Sequence, residues 1–208
     1  MGYTTLYFIA GQPYVVTQMM DLVRTFIAVD IDDDVLRGKL ARVRDYLVGT
    51  KAELKPVATE NIHITLRFIG EISLSKVNEI CDALTKELIF KPFKIKVEGL
   101  GVFPNIHRPR VIWAGVSQGA EELNKLHEII ERTLRRLRIP PASERFVPHI
   151  TLARVKSSRN IHSLVKAIEQ FINTEFGEMV VDKVKVKRSI LTPRGPIYND
   201  ICVIKAVE

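Results

Sequence analysis

Two copies of the same four residues, HITL, carry the side chains best suited to chemistry in this sequence. The first copy places His63 two positions before Thr65, and the second places His149 two positions before Thr151. Alternate residues of a β-strand face the same side, so each copy presents an imidazole and a hydroxyl together, with its Ile and Leu turned toward a core. One His-x-Thr pattern is a common accident, whereas two identical copies in similar surroundings indicate a single shared site.

Two histidines can supply one base and one acid near neutral pH, because imidazole has an unperturbed pKa of about 6.5. Hydrolysis of a phosphodiester needs both, since one group takes a proton from the attacking water and the other gives a proton to the departing oxygen. Threonine hydroxyls and a nearby arginine can hydrogen-bond the remaining phosphate oxygens. The pattern therefore predicts a phosphate-handling site with acid-base catalysis; the alternative is a duplicated structural strand without activity.

Residues next to the first copy offer further candidates. Strict alternation puts Arg67 on the same face as His63 and Thr65, which makes it a candidate phosphate ligand, with a solvated strand residue as the alternative. Phe68 and Phe146 are candidates for stacking on a base, although core positions are the favoured interpretation for both.

The sequence contains no recognisable metal, cofactor or nucleophile motif. Neither HITL copy is part of an H-x-H or H-E-x-x-H pattern, and there is no G-x-x-x-x-G-K-[ST] loop and no Ser nucleophile motif. Cys81 and Cys202 are too few and too scattered for a disulfide framework or a zinc cluster. We therefore expect no metal, no cofactor and a reducing, cytoplasmic environment.

Length and charge fit a single unit that handles nucleic acid or nucleotides. The 208 residues are 46% hydrophobic, enough to bury a core in one domain or one two-lobed unit. The 31 Lys and Arg outnumber the 24 Asp and Glu, and the net charge of +7 favours an anionic partner. Rare Gln combined with abundant Lys, Glu, Ile and Val is typical of proteins from hot environments.

Residues 1–23 are interpreted as an N-terminal extension without an assigned role, because a clean strand begins only at Arg24. The apolar run from Leu6 to Ala10 has no basic region before it and no plausible cleavage site, which argues against a signal peptide. No segment reaches the roughly 20 apolar residues of a membrane-spanning helix. We expect residues 24–208 to form one bilobal domain without membrane association.

Periodicity along the chain predicts strands and helices in a repeated order. Alternation or short apolar runs predict strands over 24–31, 61–70, 93–103, 110–116, 146–155, 178–191 and 197–207. Helical spacing predicts helices over 35–47, 74–89, 120–137 and 161–172. Neighbouring strand pairs with interspersed helices predict an α+β fold with antiparallel sheets. The recurrence of HITL in matching contexts suggests an internal duplication, with two similar lobes facing each other across one cleft.

The segments around both motifs resemble the 2H phosphoesterase superfamily, which is defined by two H-x-[ST]-x motifs, and within it the RNA 2′,3′-cyclic phosphodiesterases, also called 2′-5′ RNA ligases. The resemblance runs from about Arg24 to the C-terminus and rests on RTFIAVDI, NIHITLRFIGEI, FPN followed by RPRVIWAGV, and RFVPHITLARV. It implies a bilobal fold with pseudo-twofold symmetry, antiparallel sheets, helices on the outside and a central cleft.

The resemblance also implies roles for individual residues. His63 would be the proton donor to the leaving 3′ oxygen and His149 the proton acceptor from water, which leaves a 2′-phosphomonoester. Thr65 and Thr151 would hold the phosphate, together with Arg154 at the end of the second motif. Simple alternation turns Arg154 away from His149, a conflict that local twist must resolve.

Three functions fit these residues. The first is metal-independent hydrolysis of RNA 2′,3′-cyclic phosphate ends, with 2′-5′ RNA ligase activity in the reverse direction, by a monomer acting on RNA ends such as tRNA halves or on nucleotides. The second keeps the site but acts on small cyclic nucleotides. The third is a non-catalytic RNA- or nucleotide-binding module, which accounts for the charge but not for two matched histidines.

Overall fold

A computed structural model describes residues 3–9, 12–18 and 22–207, with side chains from Leu22 onward. Strands β1 (Tyr3–Ile9) and β2 (Gln12–Gln18) pair with each other in an antiparallel hairpin. Both lie inside the predicted N-terminal extension. The division into residues 1–23 and a domain over 24–208 stays a prediction.

The chain from Leu22 onward interleaves strands with helices. Its elements are β3 (Leu22–Asp30), α1 (Asp34–Gly49), β4 (Leu54–Pro56), a 3-10 turn (Thr59–Asn61), β5 (His63–Ser73), α2 (Leu74–Glu87), β6 (Phe93–Phe103), β7 (Val111–Gln118), α3 (Ala120–Arg136), β8 (His149–Val155), α4 (Ile161–Glu169), β9 (Glu175–Val181), β10 (Lys183–Thr192) and β11 (Gly195–Lys205). This order agrees with the predicted one apart from the short β4 and a break between β9 and β10.

The strands from β3 onward join one nine-stranded antiparallel sheet made of two similar halves. The first half has the order β11-β10-β3-β5, and the second has the order β8-β7-β6-β9, with β4 alongside β8. A single residue pair, Ile64 with Ile150, joins β5 to β8 and thereby the two halves. Each half contributes one HITL strand to this junction. The predicted α+β class with antiparallel strands is confirmed, and the two predicted sheets are the two halves of one continuous sheet.

The predicted strand over 178–191 is two strands in the structure. β9 pairs with β6 in the second half, whereas β10 pairs with β3 and β11 in the first half, and the chain passes between the halves at Asp182. Alternation continues through this residue without Gly or Pro, so no local signal marks the crossing. The break is set by long-range strand pairing, which periodicity does not encode.

The helices cover one face of the sheet and leave the other open. Strand residues on the covered face, such as Ile27, Ile64 and Ile150, are fully buried and share one apolar core with residues of all four helices. α1 and α4 contact strands of the second half, whereas α2 contacts β3 and β5 of the first half. The face opposite the helices, called the open face below, receives the alternate residues of these strands.

Local signals define where the helices begin. The Asp33 side chain accepts a hydrogen bond from the Leu36 amide at 2.7 Å, and the Ser73 hydroxyl accepts one from the Lys76 amide at 3.3 Å. α3 instead follows Gly119, where φ is 79° and a Cβ would lie 2.5 Å from a backbone oxygen of β6, so glycine is required. Among the described residues, no helix combines the length and apolarity needed to cross a membrane.

Cys81 of α2 and Cys202 of β11 form a disulfide, a single bond that the sequence analysis did not predict when it excluded a disulfide framework. The fold packs α2 against β11 and brings the two Cα atoms to 6.2 Å, within the usual range for a disulfide. The bond links residues 121 positions apart in sequence and ties α2 to the outermost strand of the first half. Spacing alone cannot show such a pair, because the contact depends on topology.

Candidate active site

The two HITL strands cross at the junction between the halves. The isoleucines of the two copies pair with each other, and both side chains point into the core. Continuing this antiparallel register by one residue sets His63 beside Thr151 and Thr65 beside His149 on the open face. The fold therefore brings these four side chains to one place.

Both imidazoles are oriented by backbone carbonyls. His63 Nδ1 lies 2.7 Å from the Asn61 carbonyl oxygen, and His149 Nδ1 lies 2.7 Å from the Val147 carbonyl oxygen. Because a carbonyl oxygen only accepts hydrogen bonds, Nδ1 carries a proton in each ring and Nε2 is left for chemistry. His63 Nε2 lies 2.9 Å from Thr65 Oγ1, whose hydroxyl donates to it when the ring is neutral.

Aromatic rings flank each histidine. At the first HITL copy, the ring centroids of Phe26 and Tyr198 lie 5.2 and 5.5 Å from that of the imidazole. At the second copy, the corresponding distances from Phe103 and Trp113 are 5.1 and 6.1 Å. These rings displace water from the sides of both imidazoles, which strengthens the electrostatic effect of nearby charges.

Burial lowers the pKa of the His63 imidazole. The Asn61 carbonyl and the Asp30 carboxylate oppose this effect and raise the pKa, whereas the positive charge of Lys187 and the neighbouring His149 lower it further. Asp30 is the partner of His63 in the ladder between β3 and β5, which explains why its charge is felt there. The carboxylate is the charged neighbour that favours a proton on His63.

Burial also lowers the pKa of His149, where the Val147 carbonyl raises it and the Arg154 guanidinium lowers it further. Burial raises the pKa of the Tyr198 phenol, and the charge of Arg154 opposes that rise. Arg154 is therefore close enough to act on both halves of the site. The charged neighbour of His149 disfavours a second proton, in contrast to the carboxylate beside His63.

Two lysines and two aspartates form a compact ion cluster beside His63. Lys187 Nζ lies 2.7 Å from both Asp30 Oδ2 and Asp200 Oδ1, while Lys185 Nζ lies 2.7 Å from Asp30 Oδ2 and 3.2 Å from Asp200 Oδ2. The Lys187 side chain is only 8% exposed. Burial alone would raise the pKa of Asp30, but the hydrogen bonds from both lysines hold it below its ordinary value. Asp30 therefore stays charged.

A β-bulge in the second HITL strand determines the direction of Arg154. Consecutive residues of β7 pair with Thr151 and Ala153, so Leu152 between them has no partner in that ladder. An extra residue in one strand shifts its alternation by one position. Arg154 consequently lies on the open face with His149, and the conflict raised by simple alternation is resolved.

The first HITL strand has the same bulge, at Leu66. Consecutive residues of β3 pair with Thr65 and Arg67, and the shift turns Phe68 instead of Arg67 to the open face. Phe68 is 44% exposed, and the Arg24 guanidinium carbon lies 4.6 Å from its ring centroid. The interpretation of Phe68 as a core residue is therefore wrong.

Arg67 does not share the face of His63, so that part of the sequence prediction is wrong because of the bulge. Its guanidinium lies on the helix side of the sheet, where it forms an ion pair with Glu131 of α3. It also donates to the carbonyl oxygens of Phe68 and Pro140. These contacts fasten the segment after α3 to β5, and we do not carry Arg67 into the phosphate site.

Sequence reasoning missed the residues that surround the first histidine. Asp30, Lys187 and Tyr198 lie on three different strands, and the order β11-β10-β3-β5 brings them beside His63. One signal was available: lysines alternate with valines from Lys183 to Lys187, as on a strand with one charged face. That pattern ordinarily means a solvated face, and only the fold shows that the lysines are covered.

The arrangement can bind and protonate a phosphodiester. Two Nε2 atoms, two threonine hydroxyls and one guanidinium converge on the open face, which supplies acid-base groups and donors for an anion. Among the described residues, no group of three or more His, Cys, Asp or Glu side chains is placed to hold a metal ion. The groups that the site itself offers for proton transfer are its two imidazoles.

Comparison with known proteins agrees with this geometry. A sequence profile described as LigT like Phosphoesterase matches twice, over residues 30–113 and 115–198, so that each match contains one HITL copy. The chain therefore belongs to the LigT-like phosphoesterase family, which confirms the resemblance drawn from the two motifs. The duplication of the match also fits the two similar halves of the sheet.

The curated relatives named RNA 2′,3′-cyclic phosphodiesterase include two that match most of this chain. The protein of Aeropyrum pernix is 44% identical over 171 residues, which are 82% of this chain and 97% of the relative. The protein of Archaeoglobus fulgidus is 40% identical over 182 residues, which are 88% of this chain and 99% of the relative. The relatives include proteins of hyperthermophiles, which fits the composition of this chain.

Solved structures share the fold. A protein of Thermus thermophilus superposes with a TM-score of 0.74 at 29% identity, covering 88% of this chain and 97% of that one. E. coli LigT in complex with 3′-AMP superposes with a TM-score of 0.73 at 21% identity, covering 90% of this chain and the whole of that one. The fold of this chain is therefore that of these two solved structures.

Proposed function

We propose that this protein hydrolyses the 2′,3′-cyclic phosphate ends of RNA to 2′-phosphomonoesters. The observation that carries the proposal is the meeting of two imidazoles, each with Nδ1 bound to a backbone carbonyl and Nε2 left for chemistry, where the halves join. The names of the relatives and the family agree with this reaction. A duplicated structural strand would not need two rings fixed in the same tautomer.

The phosphate site consists of Thr65, Thr151 and Arg154. The register sets one threonine beside each histidine, and the bulge at Leu152 sets the guanidinium on the same face. Hydroxyls and a guanidinium stabilise the non-bridging oxygens as negative charge develops on them. These donors hold the phosphorus between the two imidazoles.

The reaction uses the two histidines in different roles. His149 Nε2 takes a proton from water, the water oxygen bonds to phosphorus, the bond from phosphorus to O3′ breaks, and His63 Nε2 gives its proton to O3′. The phosphate stays on O2′. The charges next to each ring differ in a way that favours this division: Asp30 raises the pKa of His63 against the opposing charge of Lys187, whereas Arg154 lowers the pKa of His149.

The substrate class follows from charge and from the aromatic side chains of the open face. A net charge of +7 favours a polyanion, and Phe68 offers an exposed ring on the same face as the histidines. RNA ends such as tRNA halves, or nucleotides, fit these features. A cytoplasmic location and a monomeric state remain expectations from the sequence.

The direct experiment is incubation of the purified protein with an RNA that ends in a 2′,3′-cyclic phosphate, in the presence of EDTA. We expect full turnover and a product with the phosphate on the 2′ oxygen. A 3′-phosphate would contradict the acid and base roles, and loss of activity in EDTA would contradict a metal-independent reaction. Both outcomes are read by phosphorus NMR of the product end.

Substrate size separates the related alternatives. Comparison of a cyclic mononucleotide with a tRNA-sized RNA measures whether the enzyme prefers small cyclic nucleotides. A higher kcat/KM for the mononucleotide would favour the small-molecule alternative. Salt-dependent RNA binding without turnover of either substrate would instead favour a non-catalytic binding module.

A further inference from the structure

A shallow depression of about 280 Å³ lies on the second half of the sheet, next to His149. Its lining residues come from β6, β7 and the segment after α4: Glu98, Gly99, Gly115, Val116, Ser117, Ile172 and Asn173. Gly115 is the partner of His149 in one ladder and of Glu98 in the next. The depression therefore begins one strand away from the imidazole that acts as base.

Two glycines line this depression. A Cβ at Gly115 would lie 2.9 Å from the Glu98 carbonyl oxygen, and a Cβ at Gly99 would lie 2.5 Å from the Ile172 carbonyl oxygen. Backbone instead of side chains therefore forms much of the floor. The ring of Trp113, which is not one of the lining residues, comes within 3.5 Å of the Cβ position of Gly115.

The lining is polar but unsuited to a phosphate. Ser117 and Asn173 offer a hydroxyl and an amide, while the Glu98 carboxylate is paired with Lys96 at 3.2 Å. A carboxylate repels phosphate and accepts hydrogen bonds from hydroxyl and amino groups. The volume lies just below the roughly 300–1,000 Å³ of pockets for drug-sized ligands, so it suits one nucleoside, not an extended strand.

The geometry of the proposed reaction distinguishes the nucleoside that carries the cyclic phosphate from the nucleoside that supplies the attacking oxygen. The attacking oxygen approaches phosphorus on the side opposite the leaving O3′, so the ribose being opened lies toward His63 and the attacking group lies toward His149. A free 5′-hydroxyl can take the place of water. Then O5′ bonds to phosphorus, its proton passes to His149 Nε2, the bond to O3′ breaks, and His63 Nε2 protonates O3′. The product is a 2′-5′ linkage, and no further reactant is needed.

We propose that the depression formed by Glu98, Gly115, Ser117 and Asn173 binds the nucleoside whose 5′-hydroxyl attacks the cyclic phosphate. This inference rests on the proposed function, because it adds a second substrate to the same site. The uncharged 5′-hydroxyl end suits the carboxylate beside it, whereas a 5′-phosphate does not.

A partition experiment tests the site. The protein is supplied with 2′,3′-cyclic AMP and increasing adenosine, and the ratio of 2′-5′ linked dinucleotide to 2′-AMP is measured. We expect this ratio to rise and then saturate, because bound adenosine competes with water. Adenosine 5′-monophosphate, which has no 5′-hydroxyl, should leave the partition unchanged at the same concentrations.

Variants that fill the depression sharpen the test. Ser117→Tyr and Asn173→Trp replace exposed residues, so we expect folded proteins whose ratio falls by about tenfold or more, equivalent to roughly 1.4 kcal/mol of lost binding. Hydrolysis to 2′-AMP should change by less than about twofold, since water needs no pocket. Ser163→Tyr, on the exposed surface of α4, is the matched control and should leave both rates unchanged.

The ratio separates the two proposals. Formation of 2′-AMP without dinucleotide at any adenosine concentration, or a ratio that the filled variants do not change, would overturn the nucleoside site alone. Absence of 2′-AMP in the wild type would overturn the proposed function itself. Because the ratio compares two products of one active site, partial unfolding of a variant does not alter it.

Discussion

The two HITL strands share their sequence, their bulge and their backbone-bound histidine, yet they differ in what surrounds the imidazole. Beside His63 the structure places the buried cluster around Asp30 and Lys187, whereas beside His149 it places Trp113 and the Arg154 guanidinium. The duplicated strand thus supplies the same ring twice. Neighbouring strands place a carboxylate beside one ring and a guanidinium beside the other, and this difference supports the proposed acid and base roles.

The bulges show how one repeated strand acquires two different side chains at its end. In each copy the leucine is the extra residue of the bulge. The first residue after it therefore faces the covered side of the sheet, and the second residue after it faces the open side. Arg67 and Ala153 occupy the covered position, while Phe68 and Arg154 occupy the open one. Equivalent backbone positions therefore carry an aromatic ring in one half and a cation in the other.

Loss of either imidazole should have the largest effect. We expect His63→Ala and His149→Ala each to reduce kcat by about 10² to 10⁴, the usual contribution of one proton transfer. The double variant should lose much less than the product of the two single losses, because the rings act as a unit. Retention of wild-type kcat in both single variants, measured on a cyclic-phosphate RNA, would contradict a two-histidine mechanism.

Substitutions of Arg154 and Phe68, the residues that each bulge turns to the open face, should affect different kinetic constants. Arg154→Ala removes a charged donor from the phosphate, and we expect kcat/KM to fall roughly 10- to 150-fold, from about 1.5–3 kcal/mol for a hydrogen bond to a charged group. Phe68→Ala should act chiefly through KM, since it touches no reacting atom. If both variants changed only KM, Arg154 would bind the substrate and the transition state equally and would not stabilise the charge that develops during the reaction.

Removal of the charge beside each histidine should shift one limb of the pH profile of kcat/KM, and the two limbs should shift in opposite directions. Asp30→Asn removes the carboxylate that raises the His63 pKa, so the alkaline limb of kcat/KM, which reports the acid, should shift to lower pH. Arg154→Gln removes the cation that lowers the His149 pKa, so the acidic limb, which reports the base, should shift to higher pH. A shift of the same limb in both variants would contradict different roles for the two histidines.

The covered position after the first bulge should matter for stability and little for catalysis. Arg67→Met breaks the ion pair with Glu131, and we expect a loss of about 1.5–3 kcal/mol in the free energy of unfolding, measured by urea denaturation. Activity at a temperature where the variant is folded should stay within about twofold of wild type. A large drop in kcat without destabilisation would return Arg67 to the phosphate site.

Much of the fold and the centre of the site could be predicted because they depend on local patterns. The strand and helix order, the α+β class and the joint position of His63 and His149 follow from alternation and repetition. Predictions failed beyond each leucine, since alternation assumes that no residue is extra. Arg67 was therefore placed on the wrong face, and the direction of Arg154 could not be derived.

Long-range pairing accounts for the other failures. The break at Asp182, the disulfide between Cys81 and Cys202 and the ion cluster around Lys187 all depend on which strands become neighbours. Neither spacing nor composition contains that information. The cluster is the most consequential omission, because it distinguishes the surroundings of the two histidines.

The division of labour between the histidines is tested most directly by a substrate whose leaving group needs no protonation. A 2′,3′-cyclic phosphate analogue with sulfur in place of O3′ has a thiolate leaving group, which departs without a proton because thiols have a pKa of about 8.5. We predict that this analogue restores most of the activity of His63→Ala and none of that of His149→Ala. Rescue of His149→Ala instead, or of both variants equally, would contradict the assignment of His63 as acid and His149 as base.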